Sequence, residues 1–315
     1  EYAAKVASLL SGGLSSLYFV NSGAEAIEGA LKLAKRYTHR TELVSMRRAY
    51  HGSTQGAMSL MGEPEGEEWK GAFRPLLPDV RAIDFNDFDQ LRLITRRTAC
   101  VVVEPVQGEA GVYPWDPDTL YDVAQFCRKN GLLLIVDEVQ SGIFRCGEFP
   151  FAFQNLGITP DIITMAKGIA SGFPMGACAA RIEVAEAFEP GDHGSTFGGN
   201  PVVCAGANVV VDRMDQSFLA NVNERAVQLR AGIAKLPHVK SISGIGLMVG
   251  IEFYDLKAAD VLAACREAGL LVLTAKTRLR LLPPLTLSEH DVDMALEILG
   301  DVLSKMEPTA PKEQA

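Results

Sequence analysis

The stretch Leu132-Leu133-Leu134-Ile135-Val136-Asp137-Glu138-Val139-Gln140 decides the fold. Its first five residues are aliphatic with no polar residue between them, which is typical of a strand buried on both faces of a parallel sheet. A similar run occupies residues 99–104, and residues 117–130 between the two runs have helical period, with a proline at the start and Gly131 at the end. This order of strand, helix and strand predicts a mostly parallel sheet covered by helices on both faces.

The remaining segments extend this pattern in both directions. Strands are predicted at 17–20, 42–46 and 161–164, and a helix at 24–37. After residue 212 the pattern changes to helices at 217–236, 258–268 and 289–305 and strands at 239–242, 247–254, 270–274 and 278–282. The sequence therefore predicts a large α/β domain over 1–212, a smaller α+β domain over 213–306 and a flexible polar tail over 307–315.

Composition excludes several classes of function. The chain has 30 Lys and Arg against 39 Asp and Glu, a net charge of −9, so neither nucleic acid nor an anionic membrane surface is an expected partner. Its apolar runs are too short to span a bilayer. The six cysteines and five histidines are dispersed, which predicts reduced, buried thiols and no metal site. A cytoplasmic location is the resulting expectation.

Three segments follow predicted strands, at the sheet edge where α/β proteins bind their ligands. The turn before the helix at 24–37 contains Ser22 and Gly23, and backbone N–H groups at such a helix start can hold a phosphate, although an ordinary serine-capped helix has the same pattern. Asp137 ends a buried strand, so it either needs a partner or caps a helix. Lys167, in a small apolar context before Gly168, is either a loop lysine or a desolvated nucleophile.

Together these segments supply what a pyridoxal phosphate site needs. The lysine forms the imine, the aspartate holds the proton of the pyridine nitrogen, and the helix start takes the phosphate. The chain also resembles the class III pyridoxal-phosphate aminotransferases of fold type I, which include the acetylornithine, ornithine and 4-aminobutyrate aminotransferases. The resemblance runs from Leu17 to Leu287. It rests on seven motifs in order: Asn21-Ser22-Gly23-Ala24-Glu25-Ala26, Tyr50-His51-Gly52, Glu104-Pro105-Val106-Gln107-Gly108-Glu109, Asp137-Glu138-Val139-Gln140, Ala166-Lys167-Gly168, Gly172-Phe173-Pro174-Met175-Gly176-Ala177 and Ser195-Thr196-Phe197-Gly198-Gly199-Asn200-Pro201.

The resemblance implies a role for each matching residue. Lys167 is the implied Schiff-base lysine and proton shuttle, Asp137 pairs with the pyridine nitrogen, and Tyr50 stacks on the ring. The full implied set of cofactor-binding residues is Ser22, Gly23, Ala24, Tyr50, His51, Asp137, Gln140, Lys167 and Thr196. The implied fold is a mostly parallel central sheet flanked by helices, with a smaller C-terminal α+β domain.

The resemblance also implies where substrates and a second subunit bind. The implied substrate-binding residues are Glu104, Glu109, Ser195 and Arg280. In related enzymes, the glutamate that matches Glu109 pairs with the matching arginine until that arginine binds 2-oxoglutarate. Here Arg278 competes with Arg280 for that role. Ser195 and Thr196 match residues that reach the cofactor phosphate of the neighbouring subunit, which implies a homodimer.

Several positions depart from the family pattern. Many acetylornithine aminotransferases have an arginine after His-Gly, where it binds the carboxylate of the amino donor, and this chain has Ser53. Ser141 and Cys146 replace commoner residues without an expected consequence. The sequence starts at Glu1, and the residues that follow it show no signal-peptide pattern. A segment that family members place over the active site is therefore expected to be missing before Glu1.

These observations predict an aminotransferase that moves an amino group from an ω-amino donor such as N-acetylornithine to 2-oxoglutarate by a ping-pong mechanism. Ornithine, 4-aminobutyrate or another diamine or ω-amino acid stays open as the donor. An aminomutase like the glutamate-1-semialdehyde enzyme is a second possibility, and an inert truncated subunit is a third.

Overall fold

The computed structural model of the chain describes residues 1–62 and 70–308. Its strands are β1 (Leu14–Val20), β2 (Glu42–Met46), β3 (Val80–Ile83), β4 (Thr98–Val103), β5 (Val106–Gln107), β6 (Tyr113–Pro114), β7 (Leu133–Asp137), β8 (Ile162–Met165), β9 (Gly176–Arg181), β10 (Val239–Ser243), β11 (Val249–Phe253), β12 (Leu273–Ala275) and β13 (Arg278–Leu281). Its α-helices are α1 (Tyr2–Leu9), α2 (Gly23–Thr38), α3 (Gln55–Ser59), α4 (Gly108–Gly111), α5 (Pro117–Asn130), α6 (Ala152–Asn155), α7 (Ile182–Ala185), α8 (Pro201–Asp212), α9 (Gln216–Ile233), α10 (Ala258–Glu267) and α11 (Glu289–Lys305). Most of the predicted tail, residues 309–315, lies outside the described residues.

The larger sheet has seven strands in the order β1-β9-β8-β7-β4-β2-β3. The pairs from β8 to β3 are parallel, and β9 is antiparallel to both β8 and β1. Every residue of β4 and β7 is buried, because helices cover both faces of the sheet at its centre. The predicted mostly parallel sheet is confirmed. The antiparallel strand β9 was not predicted, since its Gly-Ala-Cys-Ala-Ala run carries little strand propensity.

The smaller sheet has four antiparallel strands in the order β10-β11-β13-β12. Its apolar core includes Ile251 and Leu279 from the strands, Val222 from α9, Val261 from α10 and Leu303 from α11. The predicted strand at 270–274 is wrong in its extent, because β12 covers only Leu273–Ala275.

The chain divides into two compact units. The first comprises residues 1–105, 115–143 and 149–214, and the second comprises 106–114, 144–148 and 215–315. The sequence placed 106–114 and 144–148 in the large domain, whereas the structure assigns both to the second unit. Two hydrogen bonds of Arg145 explain the assignment of 144–148. Leu247 donates its N–H to the Arg145 carbonyl at 3.0 Å, and the Arg145 guanidinium donates to the carbonyl of Pro283 at 2.6 Å.

Helix ends in the first unit follow the capping residues of the sequence. The side chain of Asp116 accepts the N–H of Thr119 at the start of α5, and Pro117 occupies the first helical position. Gly131 ends the helix in the left-handed conformation, with a φ of 63°. The chain then enters β7 directly, so α5 fixes where the strand that carries Asp137 begins. Among residues 1–62 and 70–308, no helix is both long and apolar enough to cross a membrane.

Candidate active site

Asp137 is the last residue of β7, and its carboxylate is only 5% exposed. Oδ1 accepts the backbone N–H of Val139 at 3.0 Å and the hydroxyl of Thr164 at 3.2 Å. Oδ2 is 2.7 Å from Nδ1 of His51. Because a buried carboxylate is costly without partners, these three bonds are what fix Asp137 in this position.

The His51 side chain is completely buried beside Asp137. Burial alone lowers the pKa of His51, but its hydrogen bond to Asp137 and the negative charges of Asp137 and Glu104 together raise the pKa above its ordinary value. His51 is therefore more readily protonated than a free histidine. Its second ring nitrogen, Nε2, is buried and has no hydrogen-bond partner among the described residues.

The loop that carries Tyr50 and His51 is fixed by a second carboxylate. Glu104 follows β4, is 5% exposed, and accepts the backbone N–H of Tyr50 at 3.0 Å. This bond makes Glu104 a support of the loop, and its implied contact with substrate stays a prediction. The Tyr50 ring is 37% exposed, and its hydroxyl lies 3.1 Å from the Ser53 hydroxyl. Ser53 therefore bonds within the loop.

The start of α2 has two unused hydrogen-bond donors. Ser22 caps the helix, since its hydroxyl accepts the N–H of Glu25 at 3.2 Å. Gly23 and Ala24 follow, and their N–H groups have no acceptor in the part of the chain that the structure describes. A Cβ at Gly23 would lie 2.8 Å from a methyl group of Val139, so only glycine fits there without displacing the turn after Asp137. The positive end of a 16-residue helix and two free N–H groups suit a phosphate.

Lys167 follows the strand next to Asp137. Strands β7 and β8 pair in parallel with Asp137 opposite Thr164, so Lys167 begins the short 3-10 turn beyond the same sheet edge. Its φ is 49°, in the left-handed region that costs a non-glycine residue about 1–2 kcal/mol. Such strain is concentrated at functional sites. Lys167 is exposed where the chain leaves the sheet, and its role as the nucleophile stays a prediction.

Behind Asp137, the buried Glu138 fixes the turn that carries Gln140. Its Oε2 accepts the hydroxyl of Ser141 at 2.6 Å, and its Oε1 accepts the N–H of Phe153 at 2.7 Å. Burial raises the pKa of Glu138 to about 7, although both hydrogen bonds act in the opposite direction. Gln140 is half-buried in this turn. Its implied contact with the cofactor stays a prediction.

The two residues implied to reach a neighbouring subunit lie on one loop of the first unit. The Ser195 hydroxyl accepts the side-chain amide of Asn21 at 3.2 Å, which links this loop to the segment before α2. Thr196 and Phe197 are exposed, Phe197 by 71%. The loop is therefore fixed next to the candidate phosphate site while its tip remains at the surface.

The second unit separates the two competing arginines on β13. Nη1 of Arg280 is 2.6 Å from Oε1 of Glu109, and their side chains are 8% and 30% exposed. Arg278 bonds instead to Oε2 of Glu252 at 2.9 Å, and its guanidinium lies 4.3 Å from the centre of the Tyr113 ring. The structure therefore pairs Arg280 with Glu109, as the resemblance implies.

The sequence did not predict the carboxylate partners of this site. A buried strand-end aspartate indicates that some partner exists, but nothing in the spacing selects His51 or Thr164 for it. The bond between Glu104 and the backbone of Tyr50 has no sequence signal. Among the described residues, no group of three or more His, Cys, Asp or Glu side chains could hold a metal ion.

A buried aspartate and a glycine-flanked lysine beyond adjacent strands of a mostly parallel sheet are typical of pyridoxal phosphate enzymes. The aminotransferase class-III family matches residues 1–303. The chain is 42% identical over 301 residues to the acetylornithine aminotransferase of Haemophilus ducreyi, which covers 93% of this chain and 76% of that protein. The acetylornithine aminotransferase of Archaeoglobus fulgidus is 43% identical over 289 residues, covering 91% of this chain and 75% of its own length.

Solved structures agree with this assignment. The ornithine aminotransferase from Toxoplasma gondii superposes with a TM-score of 0.88 at 29% identity, covering 96% of this chain and 75% of that one. A transaminase from the marine bacterium Virgibacillus has a TM-score of 0.90 at 26% identity, covering 96% and 78%. The chain belongs to the class-III aminotransferase family. It is a transaminase, and its cofactor is pyridoxal 5′-phosphate.

The residues present fit this cofactor. The two unused N–H groups at Gly23 and Ala24 match a phosphate, and the missing Cβ at Gly23 lets the helix start lie against Val139 in the turn after Asp137. The buried Asp137 carboxylate matches a protonated ring nitrogen, and the exposed Tyr50 ring offers a flat aromatic face.

Proposed function

We propose that this chain is the subunit of a homodimeric aminotransferase that takes the amino group of N-acetylornithine and passes it to 2-oxoglutarate in a ping-pong reaction. The observation that carries the proposal is the buried Asp137, held by His51 and Thr164 one strand away from Lys167. The donor is proposed from the similarity to acetylornithine aminotransferases over more than nine-tenths of the chain.

Residues of the first unit have different roles in the proposed reaction. When bound, pyridoxal 5′-phosphate supplies an aldehyde that takes up the amino group and a ring that accepts electrons from the reacting carbon. The ε-amine of Lys167 holds that aldehyde between turnovers and moves the proton at the reacting carbon. Asp137 keeps the ring nitrogen protonated, because a charge-assisted hydrogen bond in a buried site favours the ionic pair. Gly23 and Ala24 hold the phosphate through their N–H groups.

Arg280 is the proposed group for the 2-oxo acid. Its planar guanidinium can bind a carboxylate through two parallel hydrogen bonds. Glu109 occupies it in this structure through a pair that is partly exposed to water. A dicarboxylate that replaces Glu109 pairs with the same buried guanidinium, so the exchange leaves no buried charge uncompensated.

An exposed apolar face on the first unit supports the homodimer. Helix α8 is apolar nearly all round, and its Val202 and Val209 are 73% and 52% exposed. Phe197, just before the helix, is 71% exposed. Helices that are apolar on all sides are usually buried, and a second copy of the chain would cover this face next to Ser195 and Thr196.

The donor is tested with a panel of amines. N-acetylornithine, ornithine, 4-aminobutyrate and putrescine are each mixed with the holoenzyme alone, and the visible absorption of the bound cofactor is followed. The proposal expects N-acetylornithine to change this absorption and 2-oxoglutarate to restore it, with pyruvate as the alternative acceptor. Because Ser53 bonds to Tyr50 and cannot pair bidentately with a carboxylate, the order of the four donors shows how the enzyme compensates.

Covalent labelling tests the proposed lysine. Borohydride reduction of the loaded protein, followed by peptide mass spectrometry, is expected to find the cofactor attached to Lys167. Label at another lysine, or no donor that changes the absorption, would reject the proposal.

A further inference from the structure

Glu28, in the middle of α2, caps a helix to which it does not belong. Its Oε1 accepts the hydroxyl of Thr54 at 2.6 Å, the N–H of Gly56 at 2.9 Å and the N–H of Ala57 at 3.4 Å. The last two are first-turn N–H groups of α3, which a side chain at Thr54 would normally satisfy. The Thr54 hydroxyl makes no such capping bond and donates to Glu28 instead.

The loop before α3 lies directly on α2. A Cβ at Gly52 would lie 2.6 Å from Cβ of Ala24, and Gly52 has a φ of 127°, so only glycine allows this approach. A Cβ at Gly56 would overlap the Glu28 carboxylate and lie 2.7 Å from its Cδ. Two glycines thus let the loop sit close to the same helix whose first residues offer the free N–H groups.

Three carboxylates bond to the loop over residues 50–54 in the part of the chain that the structure describes. Glu104 accepts the N–H of Tyr50 at its first residue, and Asp137 bonds to His51 in its middle. Glu28 holds its last residue, Thr54, and the helix that follows. Without Glu28 the loop would lose the carboxylate bond at its last residue.

We infer that Glu28 is a positioning residue, which fixes the loop over residues 50–54 against α2 and so sets where Tyr50 and His51 stand relative to the phosphate-binding N–H groups. The inference rests on the proposed function, because it assigns Tyr50 to the face of the cofactor ring. Glu28 itself acts through Thr54 and α3 and has no assigned contact with substrate or cofactor.

The first experiment measures pyridoxal phosphate affinity and the visible circular dichroism of the bound cofactor in wild type, Glu28→Ala and Glu28→Gln. Losing three hydrogen bonds to one carboxylate is expected to raise the dissociation constant of Glu28→Ala on the order of 10-fold and to weaken the dichroism per bound cofactor. Glu28→Gln keeps an acceptor oxygen, so its dissociation constant should stay within about 3-fold of wild type.

A second experiment uses Gly56, which touches the Glu28 carboxylate and nothing of the cofactor site. Alanine favours a helix more than glycine does, so α3 alone should tolerate Gly56→Ala. With Glu28 present, the new methyl group displaces the carboxylate, and cofactor affinity should fall about as much as in Glu28→Ala. In the Glu28→Ala background, Gly56→Ala should have no further effect, because the two substitutions break the same contact.

The outcomes separate the two proposals. Failure of the wild type to bind pyridoxal phosphate contradicts the proposed function itself. A wild type that binds the cofactor, with unchanged affinity and dichroism in Glu28→Ala, overturns the role of Glu28 and leaves the function intact. A variant that loses only thermal stability of the apoprotein also overturns it, since a merely structural role predicts that result. Should Glu28→Ala not fold, unchanged cofactor affinity and dichroism in Gly56→Ala would overturn it instead.

Discussion

Two carboxylates of this molecule are held in opposite ways. Asp137, in the first unit, is almost completely buried, and its partners are a backbone N–H, a buried hydroxyl and a buried histidine. Glu109, in the second unit, is 30% exposed and pairs with the side chain of Arg280. Each lies beside a strand end, but only Asp137 is surrounded by groups that cannot move away.

The difference shows two ways to hold a carboxylate. Asp137 keeps a fixed set of partners, whereas Glu109 can give up its partner to another carboxylate. Replacing the partners of Asp137 would leave a buried charge uncompensated, which costs several kcal/mol. Glu109 is already partly exposed to water, and an incoming carboxylate that takes its place on the buried Arg280 leaves no charge uncompensated, so the exchange costs little. The first arrangement suits a residue that must keep one protonation state, and the second suits a residue that alternates between partners.

Lys167→Ala should produce the largest effect. Removing the proposed base and attachment point is expected to lower turnover on the order of 10⁴-fold or more. Turnover is measured with a saturating donor and 2-oxoglutarate, and Lys129→Ala, an exposed lysine at the end of α5, is the control. Comparable activity in the two variants would show that Lys167 is neither the base nor the attachment point.

Asp137→Asn removes the negative charge of this side chain and keeps its shape. Val139 and Thr164 can still donate to the amide oxygen, but the negative charge opposite His51 is lost. Turnover is expected to fall roughly 10²- to 10³-fold, the range found when one preorganised electrostatic group is removed. An altered absorption spectrum of the bound cofactor should accompany the loss. A variant that keeps both turnover and spectrum contradicts the role of Asp137.

Glu138→Gln tests the turn behind Asp137 through the pH dependence of the free energy of unfolding. Because the folded pKa of about 7 exceeds the ordinary 4.5, the folded state binds the Glu138 proton more tightly than the unfolded state does. Wild-type stability should therefore fall as pH rises from 4.5 to 7, by about 3 kcal/mol relative to Glu138→Gln. Denaturant unfolding of both apoproteins at pH 5 and pH 8 measures this difference. Parallel pH profiles would show that Glu138 keeps an ordinary pKa.

Arg280→Gln gives the smallest expected effect and tests whether Arg280, the partner of Glu109, binds the 2-oxo acid. The KM for 2-oxoglutarate should rise about 10- to 100-fold, since charge-assisted bonds to a carboxylate contribute about 1.5–3 kcal/mol. Arg278→Gln is the matched control, because Arg278 bonds to Glu252 and lies over Tyr113. A larger rise in KM for Arg278→Gln than for Arg280→Gln would assign the binding of 2-oxoglutarate to Arg278 instead.

Local patterns predicted most of the fold. The aliphatic runs at 99–104 and 132–136 gave β4 and β7, and the proline and glycine around 117–131 gave the ends of α5. These predictions succeed because burial on both faces and helix capping depend on residues close together in the chain. Strand β9 and the assignment of 106–114 to the second unit depend on pairing with distant segments, so no local pattern indicated them.

By itself, the sequence determined which chemical groups this protein has: a helix start for a phosphate, a strand-end aspartate, a lysine before glycine and two arginines on one strand. Only the tertiary structure decided which groups meet. His51 reaches Asp137 across 86 residues, Glu109 reaches Arg280 across 171, and Glu28 caps a helix 26 to 29 residues away. Residue type is written in the chain, whereas contact between distant side chains follows from strand order and side-chain direction, which exist only after folding.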